Sequence, residues 1–165
     1  MEEYHTIRHT FEPVWDSDSK ILILGTFPSV KSRENCFYYG HPQNRFWKLL
    51  AGIYEEAVPE TIDEKKALVL RHHLAVWDVI SQCDIIGSSD SSIRNVVPSD
   101  LKGLLQNSGI HTVIANGAKA YELYEKHQLP VTGIKAQKLP STSPANAAWS
   151  FGRLKEAWGA VLLGI

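Results

Sequence analysis

Apolar runs at residues 21–24 and 74–80 begin a pattern in which short strand-like segments alternate with stretches of helical periodicity. Two further strands are predicted at residues 111–115 and 131–138. Between them apolar residues recur at helical spacing, and a final helix is predicted over residues 147–163. Strands that alternate with helices in this way build a parallel sheet with helices on both faces. We therefore predict an α/β protein with a three-layer α/β/α fold around a central, mainly parallel, four-stranded sheet.

Capping residues mark where the helices begin. Asn44 stands at the N-cap position of a helix that opens with Arg45-Phe46-Trp47. Thr61 and Glu64 have the spacing of a capping box at the start of the next helix. Residues 83–97 are instead rich in Gly, Ser and Asp, and we expect a loop there.

Polar segments follow the predicted strands. These segments are GTFPS at 25–29, the Ser/Asp-rich stretch at 87–93, Asn116-Gly117, and PSTSPAN at 140–146. Right-handed crossovers place the carboxyl ends of parallel strands at one edge of the sheet, where open α/β sheets bind their ligands. The pattern alone therefore predicts that these four segments meet in one crevice.

Length and composition favour one folded unit. The chain has 165 residues, of which 44% are hydrophobic and 21% are charged, so we expect residues 1–165 to form a single domain with residues 1–19 as an N-terminal arm packed on it. No apolar run approaches the roughly 20 residues of a membrane span, and the polar N-terminus lacks the apolar core of a signal peptide. A cytoplasmic protein without membrane contact is expected.

Cysteine and histidine spacing gives no metal site. Cys36 and Cys83 lack metal-ligand spacing and are expected to be reduced. Two cysteines also exclude an iron–sulfur cluster held by four thiolates. His72 and His73 are adjacent, so on a helix they point to different sides.

Basic residues gather near two of the polar segments, although the net charge is −1. Residues 29–49 contain four basic residues and one acidic residue, and residues 116–140 contain four basic and two acidic residues. This asymmetry is typical of a modest phosphate-binding face, and chance clustering is the alternative.

Two segments carry a resemblance to a known family. GTFPS at residues 25–29, followed by YYGHPQNRFWKLL at 38–50, resembles the first motif of the uracil-DNA glycosylase superfamily. Residues 139–146, LPSTSPAN, fit its second motif. The order and spacing of the two motifs span most of the chain.

Within the superfamily, the chain is most similar to the hypoxanthine-DNA (deoxyinosine) glycosylase family. The mismatch-specific thymine/uracil branch, which resembles the chain at GHPQNRFWKLL, has an Asn at the position of Phe27. The deoxyinosine family instead uses the Asn of a His-Pro-x-Asn segment, here His41 to Asn44.

The resemblance implies a monofunctional DNA glycosylase of base excision repair. Such an enzyme flips a deaminated base, with hypoxanthine as the leading candidate, out of double-stranded DNA and hydrolyses its N-glycosidic bond. No metal or organic cofactor is required, a monomer is expected, and single-stranded DNA is a further candidate substrate.

The candidate site residues come from the resemblance, from the basic cluster at 29–49 and from the strand-end segments. Asn44 and His41 are the candidate catalytic residues. The candidate base-binding residues are Gly25, Thr26, Phe27, Pro28, Ser29, Phe37, Tyr38, Tyr39 and Asn116. The candidate DNA-binding residues are Lys31, Arg33, Arg45, Ser141, Thr142, Ser143, Pro144, Ala145 and Asn146.

Each role has a structural alternative that the sequence leaves open. An aromatic loop suits stacking on a base, but some of its rings can belong to the core, as we expect for Phe46 and Trp47. The Asn44 amide can position water or contact the base, or it can be only a helix cap. His41 can stabilise charge on the departing base or orient the loop. Residues 141–146 can clamp phosphate and wedge into the minor groove, or form a capping turn.

Carboxylates are scarce near the first motif. Glu34 is the one acidic residue in its loop, and Asp78 and Asp90 are distant candidates. The Ser/Asp-rich stretch at 87–93 resembles a family segment that lines the site, but turn chemistry explains its composition equally well.

Other functions fit the sequence less well. A serine hydrolase lacks its G-x-S-x-G motif here, and a dinucleotide-binding protein lacks G-x-G-x-x-G. A uracil or thymine mismatch glycosylase and a non-enzymatic DNA-binding α/β module remain as alternatives.

Overall fold

A four-stranded, all-parallel sheet forms the centre of the protein in the computed structural model, which describes residues 3–164. Its order is β3-β2-β6-β7. These strands are β2 (Ile21–Gly25), β3 (Leu74–Asp78), β6 (Thr112–Asn116) and β7 (Ala136–Leu139). The predicted parallel sheet is confirmed.

Strand β2 is apolar throughout because both faces of the sheet are covered. Successive side chains of a strand point to opposite faces, so Ile23 enters one core cluster while Leu22 and Leu24 enter the other. All three side chains are fully buried. The same division holds for Ile114 in the neighbouring strand β6, which packs on the side of Ile23.

Three helices cover the first face. They are α2 (Phe46–Ile53), α3 (Ile62–Arg71) and α7 (Phe151–Leu162). Phe46 of α2 and Trp158 of α7 are fully buried there, and their rings meet edge to face at 6.3 Å. Fully burying an aromatic or large aliphatic side chain contributes about 1.5–3 kcal/mol, so this layer fixes the position of α2 against the sheet.

The opposite face is covered by helices and by a second, smaller sheet. The helices there are α4 (Leu101–Gln106) and α5 (Ala118–His127), followed by the short α6 (Leu129–Thr132). The second sheet is antiparallel with the order β1-β4-β5. Its strands are β1 (His5–Arg8), β4 (Ile80–Ile85) and β5 (Arg94–Pro98), with a 3₁₀ turn (Asp90–Ser92) between the last two.

The second sheet corrects two predictions. The apolar segment 74–80 is not one strand, because β3 ends at Asp78 and the chain turns into β4 at Ile80. Residues 83–97 are not simply a loop, since they contribute to β4 and β5. Register shifts at residues 80–84 interrupt the pairing of these strands and blur the alternation that would reveal them.

Two other boundaries differ from the prediction. Strand β7 begins only at Ala136, because Pro130 lies in the first turn of α6 and Gly133, with φ +70°, ends that helix. The final helix begins at Phe151 rather than at 147, since Ser150 caps it by accepting a hydrogen bond from the Arg153 amide at 3.2 Å. None of the described helices is long and apolar enough to cross a membrane.

The predicted cap by Thr61 is confirmed, but the Glu64 carboxylate accepts from the Thr61 hydroxyl at 3.1 Å and not from the backbone amide of a full capping box. The Thr61 hydroxyl accepts a hydrogen bond from the Glu64 amide at 3.1 Å. A further helix lies between the two parts of the first motif. Helix α1 (Val30–Asn35) was not predicted; Ser29 caps it through a hydrogen bond from the Ser32 amide at 3.2 Å.

A buried glutamine links the connection between β3 and β4 to the connection between β5 and α4. Gln128 is 2% exposed, and its Nε2 donates to the carbonyl oxygens of Val79 at 3.1 Å and Ser99 at 2.8 Å.

We expect Gln128→Leu to lower the free energy of unfolding by about 2 kcal/mol, because two buried hydrogen bonds are lost. Urea unfolding would measure the change, with Gln106→Leu at an exposed position as the control, expected within about 0.5 kcal/mol of wild type. Equal stability of the two variants would contradict this role.

Candidate active site

The four polar segments meet in one cavity of about 310 Å³ at the carboxyl ends of the central strands. Gly25 ends β2, Asp78 ends β3 and Asn116 ends β6, and all three line the cavity. The other lining residues are Thr26, Phe27, Pro28, Ser29, Ser32, Tyr38, Tyr39, His41, Asn44, Ser88, Asp90, Ser141, Thr142, Ser143, Pro144 and Ala145. The predicted convergence is therefore present.

The first motif is held against the 87–93 segment. The Val30 amide donates to the Ser88 hydroxyl at 2.9 Å. Arg33 donates to the carbonyl oxygens of Pro28 at 3.4 Å and Gly87 at 3.1 Å, and its guanidinium lies 5.9 Å from the centre of the Phe27 ring. These bonds tie Arg33 to protein carbonyls, so its role here is to hold the loop.

The aromatic loop divides between core and cavity. Phe37 is buried in the core against Trp47 and does not line the cavity, so the expected base contact is not supported. Tyr38 is also buried, and its hydroxyl donates to the Glu12 carbonyl oxygen at 2.9 Å, although its side chain forms part of the cavity wall. Both rings anchor the loop in the hydrophobic core.

Tyr39 is the loop aromatic with an unused polar group. Its backbone adopts a left-handed conformation with φ +53°, a strained geometry that concentrates at functional sites. Its ring stacks on Phe46 with ring centroids 4.0 Å apart. The hydroxyl is buried and has no partner of hydrogen-bonding geometry among the described residues. Burial, and more weakly Asp78, raises the pKa of Tyr39, and the nearby Asn116 amide, a donor, opposes this effect. Tyr39 therefore stays protonated and can donate a hydrogen bond to a ligand.

Asn44 is joined to the second motif by a chain of hydrogen bonds. The Asn116 amide nitrogen donates to the Thr142 hydroxyl at 3.1 Å, and that hydroxyl donates to Asn44 Oδ1 at 2.9 Å. The Thr142 backbone amide also donates to Asn116 Oδ1 at 3.0 Å. Thr142 is fully buried, and it lies 98 residues from Asn44 in sequence.

This network fixes the orientation of the Asn44 amide. Asn44 Oδ1 also accepts a hydrogen bond from the Phe46 backbone amide at 2.9 Å, and a backbone N–H can only donate. The atom facing it must therefore be oxygen, and both acceptor sites of that oxygen are used. The N-cap position of α2 is Arg45 and not, as predicted, Asn44, because α2 begins at Phe46. Asn44 lies one residue earlier, accepts from the first helical amide, and offers the cavity its NH₂ group, a hydrogen-bond donor.

Arg45 holds the second motif in place from within the protein. Its guanidinium donates to the carbonyl oxygens of Ser143 at 3.1 Å, Asn146 at 3.0 Å and Trp149. A side chain that is engaged in three such bonds is not available to a DNA phosphate, so the expected DNA contact is not supported. Arg45 instead sets the shape of the 141–149 turn.

The turn at 141–146 has the predicted capping geometry and also faces the cavity. The Ser143 amide donates to the Ser141 hydroxyl and the Ala145 amide to the Ser143 hydroxyl, each at 3.1 Å. Asn146 Nδ2 donates back to the Ser141 carbonyl oxygen at 3.0 Å. Pro144 and Ala145 line the cavity, and Ala145 is exposed. Both interpretations of this segment are compatible with the geometry.

His41 and Lys31 lie nearer the surface. His41 lines the cavity, and its Nδ1 accepts a hydrogen bond from the Gln43 amide at 3.1 Å. This bond places the ring proton of the neutral imidazole on Nε2, which makes His41 a donor. Lys31 is exposed and lies 3.4 Å from Glu34 Oε2.

The carboxylates of the site come from outside the first motif. Asp78 and Asp90, which the sequence places far away, both line the cavity, whereas Glu34 is exposed on α1. Asp90 is exposed at the cavity rim, and the surrounding protein raises its pKa by partial desolvation; Lys119 opposes this effect and Asp78 adds to it more weakly. Sequence reasoning missed His9, whose Nε2 lies 2.9 Å from Asp78 Oδ2. The parallel register that places Asp78 beside Gly25 is the signal that locates Asp78; no local pattern locates His9.

Comparison with known proteins agrees with this geometry. The family model described as the uracil DNA glycosylase superfamily matches residues 13–162. Two relatives are named hypoxanthine DNA glycosylase. That of Methanosarcina acetivorans is 37% identical over 94% of this chain and 98% of its own length, and that of Methanosarcina barkeri is 34% identical over 90% and 93%.

A solved structure gives the same fold. It is a solution structure from Methanosarcina acetivorans, provisionally named a uracil DNA glycosylase, with a TM-score of 0.79 and 34% sequence identity. The alignment covers 92% of this chain and 94% of that one. The chain therefore belongs to the uracil-DNA glycosylase superfamily.

The bond between Thr142 and Asn44 can be tested by a double-mutant cycle. We expect Thr142→Val to lower the free energy of unfolding by about 1–3 kcal/mol, because the buried Asn116 amide loses its acceptor. Combined with Asn44→Ala, the loss should be smaller than the sum of the two single losses by roughly 1 kcal/mol. Urea unfolding would measure all four proteins, with Thr10→Val at an exposed position as the control. Additive losses would show that the two side chains do not interact.

Proposed function

We propose that this protein is a monofunctional DNA glycosylase that removes hypoxanthine from deoxyinosine in double-stranded DNA. The observation that carries the proposal is the Asn44 amide, whose NH₂ group is fixed toward a cavity built from both superfamily motifs. The names and similarity of the two Methanosarcina relatives support hypoxanthine as the base.

Cleavage of an N-glycosidic bond leaves negative charge on the departing base. In hypoxanthine this charge spreads from N9 over the ring nitrogens and O6. A preorganised donor stabilises such charge most strongly when it is held in a site from which water is excluded. The chain of donors from Asn116 through Thr142 polarises the Asn44 amide in the same direction, which strengthens its N–H groups as donors.

The geometry favours a base contact over water activation by Asn44. A residue that activates water must accept its proton, and the Asn44 oxygen already accepts two hydrogen bonds. We therefore assign Asn44 to the leaving base. His41, a donor at the cavity wall, is proposed to assist in the same way.

The remaining roles follow from position. The Gly25–Ser29 segment, Tyr38, Tyr39 and Asn116 line the space for the base. The 141–146 turn is proposed to contact the DNA backbone, with Pro144 and Ala145 as a small wedge beside the flipped nucleotide. Lys31 is proposed to add a phosphate contact.

Base release from defined duplexes tests the substrate. We expect the protein to release hypoxanthine from an inosine-containing duplex, detected as strand scission after alkali treatment, with slower release of xanthine and uracil. Release of uracil with inosine untouched would instead support the neighbouring branch. Binding of the modified duplex without any base release would support a non-enzymatic DNA-binding module.

The donor role of Asn44 predicts a sharp effect of a single-atom change. Asn44→Asp keeps the oxygen that accepts from Phe46 and Thr142 but replaces the NH₂ group with a second oxygen. We expect hypoxanthine release to fall by about 10²–10³-fold while the melting temperature changes little, because the lost group is a transition-state donor. Single-turnover kinetics would measure the rate.

The matched control is Asn107→Asp at an exposed position on the end of α4, which should keep the wild-type rate. A wild-type rate in Asn44→Asp would show that Asn44 serves only as a helix cap.

A further inference from the structure

A histidine from the N-terminal segment reaches the wall of the cavity. His9 Nε2 lies 2.9 Å from Asp78 Oδ2, and the two side chains are 4% and 5% exposed. Asp78 lines the cavity, but none of the proposed catalytic roles uses it. Burying a carboxylate costs free energy unless it is paired. His9 offsets this cost for Asp78, and the question is what a buried carboxylate does at the cavity wall.

The protein holds His9 rigidly. Strand β1 ends at Arg8, and the His9 backbone amide donates to the Ser81 carbonyl oxygen of β4 at 2.7 Å. Its ring packs against the rings of Phe11 at 4.4 Å, Tyr38 at 5.8 Å and Phe27 at 6.2 Å. The ring therefore has one orientation, in which Nε2 meets the Asp78 carboxylate.

The second Asp78 oxygen faces the first motif. Asp78 and Gly25 are partners in the parallel pairing of β3 and β2. A Cβ atom placed on Gly25 would lie 2.5 Å from Asp78 Oδ1, so only glycine allows this approach. Oδ1 accepts no hydrogen bond from the residues 3–164, while Oδ2 is bound by His9.

An unused donor lies beside this unused acceptor. The Tyr39 hydroxyl is 3.1 Å from the same Gly25 Cβ position, and it is the buried hydroxyl without a partner described above. One corner of the cavity thus presents an acceptor and a donor next to each other. That arrangement complements the N1–H and O6 of a 6-oxopurine, and it opposes adenine, which has a lone pair at N1 and an amino group at C6.

We propose that His9 is a positioning residue that orients Asp78 to accept the N1–H of the flipped base, so that the N-terminal segment forms part of the base-selecting site. Tyr39 donates to O6 beside it. This inference rests on the proposed function. Selection arises because a base without N1–H leaves Asp78 Oδ1, the oxygen that His9 does not bind, without a donor.

The test compares two bases within each protein variant. Single-turnover release is measured from duplexes that carry hypoxanthine or unsubstituted purine, which lacks both N1–H and O6. In Asp78→Asn the amide oxygen can still accept from His9, but an NH₂ group then faces N1–H. We expect hypoxanthine release to fall about 10²-fold and purine release less than tenfold.

Two His9 variants separate positioning from packing. His9→Phe keeps a ring among Phe11, Phe27 and Tyr38 but removes the donor, and it should lower the ratio of hypoxanthine to purine release at least tenfold. His9→Gln restores a donor near the Nε2 position and should recover most of that ratio. Asp84→Asn, which changes a carboxylate of the second sheet outside the cavity, should leave the ratio unchanged.

The outcomes are distinguishable. Equal loss for both bases in Asp78→Asn and His9→Phe would overturn the inference, because it would show a purely structural pair. Wild-type release of both bases in these variants would overturn it as well. If wild type releases uracil but no hypoxanthine, the proposed substrate fails, and the same variants test Asp78 on the N3–H of uracil. If wild type releases no base, the proposed function and this inference both fail.

Discussion

The hydrogen-bond chain through Thr142 is the interaction on which the active site depends. Thr142 has no exposed surface, and its hydroxyl and amide link Asn116 at the end of β6 to Asn44 at the start of α2. Because these groups are buried, each would be costly to leave unpaired. The chain therefore closes the cavity between the two superfamily motifs and also decides which face of the Asn44 amide a ligand meets.

The central sheet and its two core layers provide the rigidity that such a network needs. Strand β2 has fully buried side chains on both faces, and the helices on one face include α2, whose first amide, that of Phe46, donates to Asn44. Arg45, the next residue, donates hydrogen bonds to three carbonyl oxygens in and beside the second motif. A site built on element ends and locked by buried contacts holds its donors in place without reorganisation, which is the condition for electrostatic catalysis.

The site concentrates unused hydrogen-bonding groups around one cavity. The Asn44 NH₂ group, the Tyr39 hydroxyl and Asp78 Oδ1 have no partners among the described residues, and the Tyr39 backbone is held in a left-handed conformation. The Tyr39 hydroxyl is fully buried, and natural proteins rarely leave such a group unpaired. The presence of these groups together in one cavity is what a site for a polar, planar ligand requires.

The sequence by itself determined the parallel sheet, the meeting of GTFPS, Asn116 and residues 140–146 at one edge, and the family. Strand periodicity and crossover handedness are local or general properties, so they can be read without coordinates. Only the tertiary structure decided that Phe37 belongs to the core, that Arg45 binds protein carbonyls and that His9 reaches Asp78 through a second sheet. These outcomes depend on contacts between residues distant in sequence, and neither periodicity nor spacing encodes which partner a side chain meets.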